Sequence, residues 1–246
     1  MKKAVILFNL GGPDKLESVE PFLFNLFNDP EILSIPSIFR YPLAKFIAKR
    51  RAPIAKNIYR EIGNKSPILE LTQDQAKSLE NSLSTKGNYK CFVVMRCWHP
   101  RAIDVIKKVK EFNPEEIILL PLYPQFSAAT SGSSINEWND LCKKENFNIK
   151  KKIICCYPTE SNFVKSHSNL IRKTIQDTES KNFKLLFSAH GLPEIKIRKG
   201  DPYQWQVEET VRKIMKELED MSLDHTISYQ SRVGPLKWIG PSTDDE

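Results

Sequence analysis

Leu185-Leu186-Phe187-Ser188-Ala189-His190-Gly191-Leu192-Pro193 is the stretch on which the reading of this chain turns. An apolar run of β character stops at a small pair, an imidazole follows, and Gly191 and Pro193 turn the backbone. In open α/β sheets ligands bind beyond the carboxyl ends of the strands, so a histidine here faces a crevice rather than the core. Imidazole changes proton number most readily near neutral pH and suits iron as a ligand. Taken alone, His190 fits an inert, hydrogen-bonded turn residue equally well.

Five further apolar runs end the same way. Val5-Ile6-Leu7-Phe8 leads into Asn9-Leu10-Gly11-Gly12-Pro13, and Phe92-Val93-Val94-Met95 into Arg96-Cys97-Trp98-His99-Pro100. Ile117 to Leu120 leads into Pro121 to Ser127, Ile153-Ile154-Cys155-Cys156 into Tyr157-Pro158, and Thr226 to Tyr229 into Gln230 to Pro235. Short apolar runs without alternation fit strands buried on both faces, as in parallel sheets covered by helices. Between them, Val207, Val211, Ile214, Met215 and Leu218 form one helical stripe, and Val19, Phe22, Leu23, Leu26 and Phe27 another. Phe163, Leu170, Ile171, Thr174 and Ile175 form a third, and Thr72 with Gln75 reads as a capping box opening a helix through Ala76, Leu79 and Leu83. Strand alternating with helix predicts a doubly wound α/β protein.

Composition excludes several classes. A chain of 246 residues holds one or two domains. No run approaches the ~18 apolar residues of a membrane span, and Met1-Lys2-Lys3 leads into a strand without a cleavage site. Five cysteines, with Cys155 beside Cys156 and no C-x-x-C pair, give neither a disulfide framework nor a zinc site, so a reducing cytoplasm is expected. The net charge of +7 comes from scattered lysines without a nucleic-acid-binding motif, so no nucleic-acid partner is expected. Gly11-Gly12-Pro13 is not a dinucleotide fingerprint, and Pro13 removes a donor that a pyrophosphate needs. Thr130 to Ser134 precedes a helix and reads either as an anion seat or as a capped loop.

The basic residues concentrate once, at Lys45, Lys49, Arg50 and Arg51, directly after the apolar stretch Phe22 to Phe46. Composition alone favours a helix packed on the sheet with its charges solvated. The alternative is an apolar lip with a cationic rim, suited to a flat hydrophobic carboxylate or a membrane surface.

These strings together resemble the ferrochelatase family, whose members insert ferrous iron into protoporphyrin IX to make haem. The matching strings are Asn9 to Pro13, Phe46 to Pro53, Gly63 to Ile68, Met95 to Pro100, Tyr123 to Ser127 and Gly132-Ser133-Ser134. They continue with Ser188 to Pro193, Gly200-Asp201-Pro202-Tyr203 and Gln230 to Gly240, spread in order over the whole chain. The resemblance implies two Rossmann-like domains, each a parallel sheet flanked by helices, with the porphyrin held in the cleft between them. The expected division is 1–157, carrying the porphyrin lip, and 158–246. It makes His190 the metal-site histidine, either proton acceptor or iron donor, and Arg51, Tyr59 and Ser66 porphyrin contacts. Arg96 and Trp238 match residues near the pocket. The Phe22 to Phe46 stretch becomes the pocket mouth, with peripheral contact at the inner face of the membrane as in some members. The partners implied are protoporphyrin IX and ferrous iron; oligomeric state stays open.

One departure is expected to matter. The chain stops at Pro241-Ser242-Thr243-Asp244-Asp245-Glu246, where the family continues. The continuation carries an acidic residue facing the histidine and, in some members, iron–sulfur ligands, so no cofactor beyond substrate Fe2+ is expected. Two strand-like runs after residue 184 leave the second domain incomplete. Two alternatives to the enzyme follow: an impaired porphyrin- or haem-binding protein, and a coproporphyrin or cobalt chelatase relative.

Overall fold

The apolar runs of the first half assemble into one parallel sheet, and those of the second half into a smaller one. A computed structural model describes residues 2–179, 183–232 and 236–246. Met1 and the Val233-Gly234-Pro235 part of the Gln230 to Gly240 string lie outside the described residues. The chain divides into two compact units, one of Met1–Tyr123 with Ala128–Cys155, the other of Pro124–Ser127 with Cys156–Glu246. The sequence reading draws its line at residue 157; chain contacts divide at Cys155/Cys156 and assign the four-residue strap Pro124–Ser127 to the second unit.

In the first unit, β1 (Lys2–Asn9) lies between β2 (Asn88–Met95) and β3 (Glu116–Pro121), and β4 (Lys150–Ile153) pairs beyond β3. All pairings are parallel, with Ile6 opposite both Phe92 and Leu119. Side chains alternate across a strand, so a central strand covered on both faces must be apolar at every position. Ala4, Ile6 and Phe8 turn one way, onto Val105, Ile106 and Val109 of α4 (Ala102–Phe112) and Trp138 of α5 (Ser133–Lys144). Val5 and Leu7 turn the other way, toward Ala76 and Leu79 of α3 (Ile68–Leu83). Phe8 meets Trp138 edge to face, with ring centroids 5.8 Å apart.

Two local expectations need correction. Thr72 does not open a helix: α3 starts at Ile68, and the Thr72 hydroxyl donates back to the Ile68 carbonyl at 2.6 Å. The helix starts directly after Pro67, more than a turn before the Thr-x-x-Gln pattern suggests. The fourth strand occupies Lys150–Ile153, not Ile153 to Cys156, and every residue in it is exposed. An edge strand needs no apolar face, and its lysines blunt the open edge. Lys150 and Lys152 pair with the buried Glu116 carboxylate at 3.5 and 3.7 Å.

Outside this sheet, α1 (Val19–Phe27) and α2 (Ser37–Glu61) pack together. Ala44, Ala48 and Ala52 recur every four residues on α2 and are buried, so small side chains let its backbone approach Val19, Phe22 and Leu23 of α1.

The second unit holds β5 (Lys184–His190) and β6 (Asp224–Gln230), a parallel pair with His190 opposite Gln230. Helices α6 (Ser161–Gln176) and α8 (Tyr203–Glu217) supply Val164 and Ile214 to a core shared with Leu185 and Phe187; a short α7 (Glu194–Arg198) follows β5. The expectation of strands buried on both faces fails here. Along β5, Lys184, Leu186, Ser188 and His190 are exposed while the alternate residues are half-buried. The strap is fastened by polar contacts to α8 and to Asp201 just before it. The Phe126 N–H donates to Gln206 Oε1 at 2.7 Å, Gln125 Nε2 to Thr210 Oγ1 at 2.8 Å, and Ser127 Oγ to Asp201 Oδ2 at 2.8 Å.

Candidate functional site

At the strand tips of the first unit, sequence strings far apart in the chain converge. The Arg96 and Cys97 N–H groups donate to the Asn9 and Leu10 carbonyls, both at 2.8 Å, and the Ser66 N–H donates to the Pro13 carbonyl at 2.8 Å. Asn9 Nδ2 donates to Thr72 Oγ1 at 3.0 Å, tying the tip of β1 to α3. Gly11 adopts φ +86°, a left-handed conformation that side-chain-bearing residues rarely tolerate. A Cβ on Gly12 would collide with the Ser66 side chain. The glycine pair therefore lets Ser66 lie against the β1 turn, and the Asn9–Pro13 and Gly63–Ile68 strings belong to one surface.

Arg51 and Tyr59 stand two turns apart on α2, both half-buried. The Arg51 guanidinium lies 5.8 Å from the centre of the Phe27 ring and has no carboxylate partner among the described residues. Tyr59 packs in the α1–α2 cluster, where burial raises its phenol pKa and keeps it a hydrogen-bond donor at neutral pH.

Arg96 is placed differently. Its Nε donates to Ser133 Oγ at 2.7 Å, Nη1 to Glu137 Oε1 at 3.2 Å, and Nη2 pairs with Asp29 Oδ2 at 3.0 Å. Arg101 adds a second cation to Glu137 at 2.7 Å. The guanidinium fork is thus engaged within its own unit. Cys97, next in the chain, is a buried thiol whose pKa burial pushes up to about 12, so it is no thiolate ligand at neutral pH.

In the second unit, His190 ends β5 with its side chain exposed. The turn after it is held closely to the end of β6: the Gly191 N–H donates to the Gln230 carbonyl at 2.8 Å. A Cβ on Gly191 would stand 2.9 Å from that carbonyl and 3.3 Å from Trp238 Cε3. Glycine is needed here because two backbones and an indole meet. A short antiparallel bridge between Pro193 and Trp238 brings the turn after His190 against the Trp238 segment. Trp238 Nε1 is buried and has no hydrogen-bond partner among the described residues. The surroundings of the imidazole strip part of its hydration, which lowers its pKa from the ordinary 6.5. The lowered pKa favours the neutral ring, whose lone pair can take a proton or a metal. Among the described residues no three His, Cys, Asp or Glu side chains gather as a resident metal site.

Sequence patterns do not single out Asp29 and Glu137 as the carboxylates that hold Arg96, or Phe27 as the ring beneath Arg51. An acid before Pro30 reads as a turn, and only the folded chain shows that Asp29 is 3% exposed.

The family description "Ferrochelatase" matches residues 2–246 of this chain. The ferrochelatase of Pelagibacter ubique is 67% identical over 248 residues, covering 100% of this chain and 72% of that protein. The ferrochelatase of Rickettsia bellii is 50% identical, covering 99% of this chain and 68% of its own length. That of a Wolbachia from Drosophila simulans is 50% identical, covering 100% and 79%.

Proposed function

The chain belongs to the ferrochelatase family, and from that premise we propose a division of labour among its residues. Its function is ferrochelatase function in haem biosynthesis: ferrous iron enters protoporphyrin as substrate. Both pyrrole protons leave the ring and the metal's two charges replace them, so a basic group near the ring nitrogens assists. His190 is that group, in the neutral form that its partly desolvated setting favours. This carries the reading: an exposed imidazole at the tip of a parallel strand, followed by a glycine turn that packs against an indole.

Arg51 grips a porphyrin carboxylate, since a planar fork matches a carboxylate and no acidic side chain competes for it among the described residues. Tyr59 and Ser66 supply hydroxyl donors, and Trp238 an apolar wall. Arg96 acts at one remove, ordering the strand tip through Asp29, Ser133 and Glu137. Binding energy from the carboxylate and the apolar ring offsets the distortion that exposes the ring nitrogens.

The test is anaerobic addition of ferrous iron to the protein–protoporphyrin complex, followed by the porphyrin absorption bands. His190→Ala is expected to abolish metalation while porphyrin quenching of protein fluorescence persists. Unchanged metalation in that variant would remove His190 from the chemistry. Binding without metalation by the unaltered chain would favour the carrier reading instead.

A peripheral membrane contact is proposed for α2. Ile38, Phe39, Phe46 and Ile54 are 75, 65, 63 and 67% exposed there, among Lys45, Lys49 and Arg50. No helix of the described residues is long and apolar enough to cross a membrane. Apolar side chains beside snorkelling cations fit the interface of an anionic bilayer. Sedimentation with anionic vesicles, lost in Phe39→Asp with Phe46→Asp, checks this; equal sedimentation of the double variant refutes it.

A further inference from the structure

Asp29 follows α1 directly, two residues after the Phe27 ring on which Arg51 rests. A carboxylate at 3% exposure persists only where hydrogen bonds replace its water. Its partners come from two distant stretches of chain and from its own turn. Oδ2 accepts from Ser133 Oγ at 2.6 Å and meets Arg96 Nη2 at 3.0 Å, while Oδ1 accepts the Glu31 N–H at 2.9 Å. Ser133 opens α5 and Arg96 follows β2, so Asp29 ties the end of α1 to a strand tip and to a helix start. Asn25 adds a stitch from α1, its Nδ2 donating to the Cys97 carbonyl at 3.0 Å.

Arg51 has the opposite environment. Among the described residues nothing anionic holds its guanidinium, and the Phe27 ring face lies beneath it. A ring face orients a guanidinium without neutralising it, leaving the fork available for a carboxylate. Phe27 is the last residue of α1, and the buried Asp29 cluster holds the chain two residues beyond it.

We propose that Asp29 is a positioning residue for substrate recognition: it locks the end of α1, the locked end fixes the Phe27 ring, and the ring aims Arg51 at a porphyrin carboxylate. This rests on the reading of Arg51 given above. Asp29 itself touches no substrate. Its action is confined to the carboxylate grip, which separates it from a residue that merely holds the unit together.

Asp29→Asn keeps the shape and removes the charge that Arg96 and Ser133 share. Binding of protoporphyrin and of its dimethyl ester, both in the same detergent, is measured by fluorescence quenching. The variant is expected to weaken the diacid by about three- to tenfold, the size of one misaligned guanidinium contact, and to leave the diester within about twofold. In an Arg51→Gln background the same change is expected to cost nothing further, since both act through one contact. Phe27→Leu, which leaves the Asp29 cluster intact, is expected to repeat the pattern and serves if Asp29→Asn folds poorly. Equal losses for diacid and diester, or a full additional loss in Arg51→Gln, would overturn the proposal. If Arg51→Gln itself binds the diacid as tightly as the unaltered chain, the reading of Arg51 fails and takes this proposal with it. A selective loss in Arg51→Gln with none in Asp29→Asn or Phe27→Leu would sink the positioning role alone.

Discussion

β1 and β5 read almost alike as sequence, each an apolar run ending in a Gly- and Pro-containing turn, yet they live in different surroundings. β1 has a strand on either side and helices over both faces, and Ala4 to Phe8 are all buried. β5 has β6 beside it, and every second residue is exposed. The polar residue at the tip differs accordingly. Asn9 spends its side chain on Thr72 and on the Leu10 N–H, at 3.0 and 2.9 Å. His190 ends β5 with an exposed imidazole. The side chain of Asn9 is thus engaged by the fold, and the exposed His190 is the tip proposed above to carry the chemistry.

Truncation in the two strands tests that contrast most severely. Phe8→Ala, at a site 1% exposed, is expected to cost about 3–5 kcal/mol in a denaturant titration, through the lost transfer energy and the cavity left under Trp138. Leu186→Ala, at 47% exposure, is expected to cost less than about 1 kcal/mol. Similar losses at the two positions would mean that β5 is covered in solution.

A finer distinction lies in pH. The pKa of His190 is lowered by desolvation, so the unfolded chain takes up this proton more readily than the folded one. Its contribution therefore favours the fold above the ordinary value of 6.5 and is lost as pH falls through that value toward the folded pKa. Asn9 has no such titration, so the effect belongs to the second unit's tip. Following the His190 ring protons by NMR should give a midpoint below 6.5. A midpoint above it would point to an anion beside the ring and reverse the sign.

Much of the fold was legible because hydrophobic period is a local property. The stripe Val207, Val211, Ile214 belongs to α8, and the run Val5 to Phe8 lies in β1. The errors share one cause. Thr72 looks like a cap because its side chain is of a capping type, but the helix has already started at Ile68. The fourth strand carries no apolar signal in the sequence because it is an exposed edge strand of lysines. Among the expected site residues, Arg51 and His190 stand out by residue type and motif. Arg96 does too, yet its type cannot tell a substrate contact from a member of an internal ion network.

The order of strands and helices, the glycine turns and the imidazole at a strand end follow from the chain's own pattern of apolar and small residues, since each depends on neighbours a few positions away. Which strand is central, which carboxylate is buried, and which guanidinium keeps its fork free depend on pairings between residues tens of positions apart. Asp29 meets Ser133 and Arg96 only after the sheet has formed, and the burial that makes it an anchor arises from that meeting.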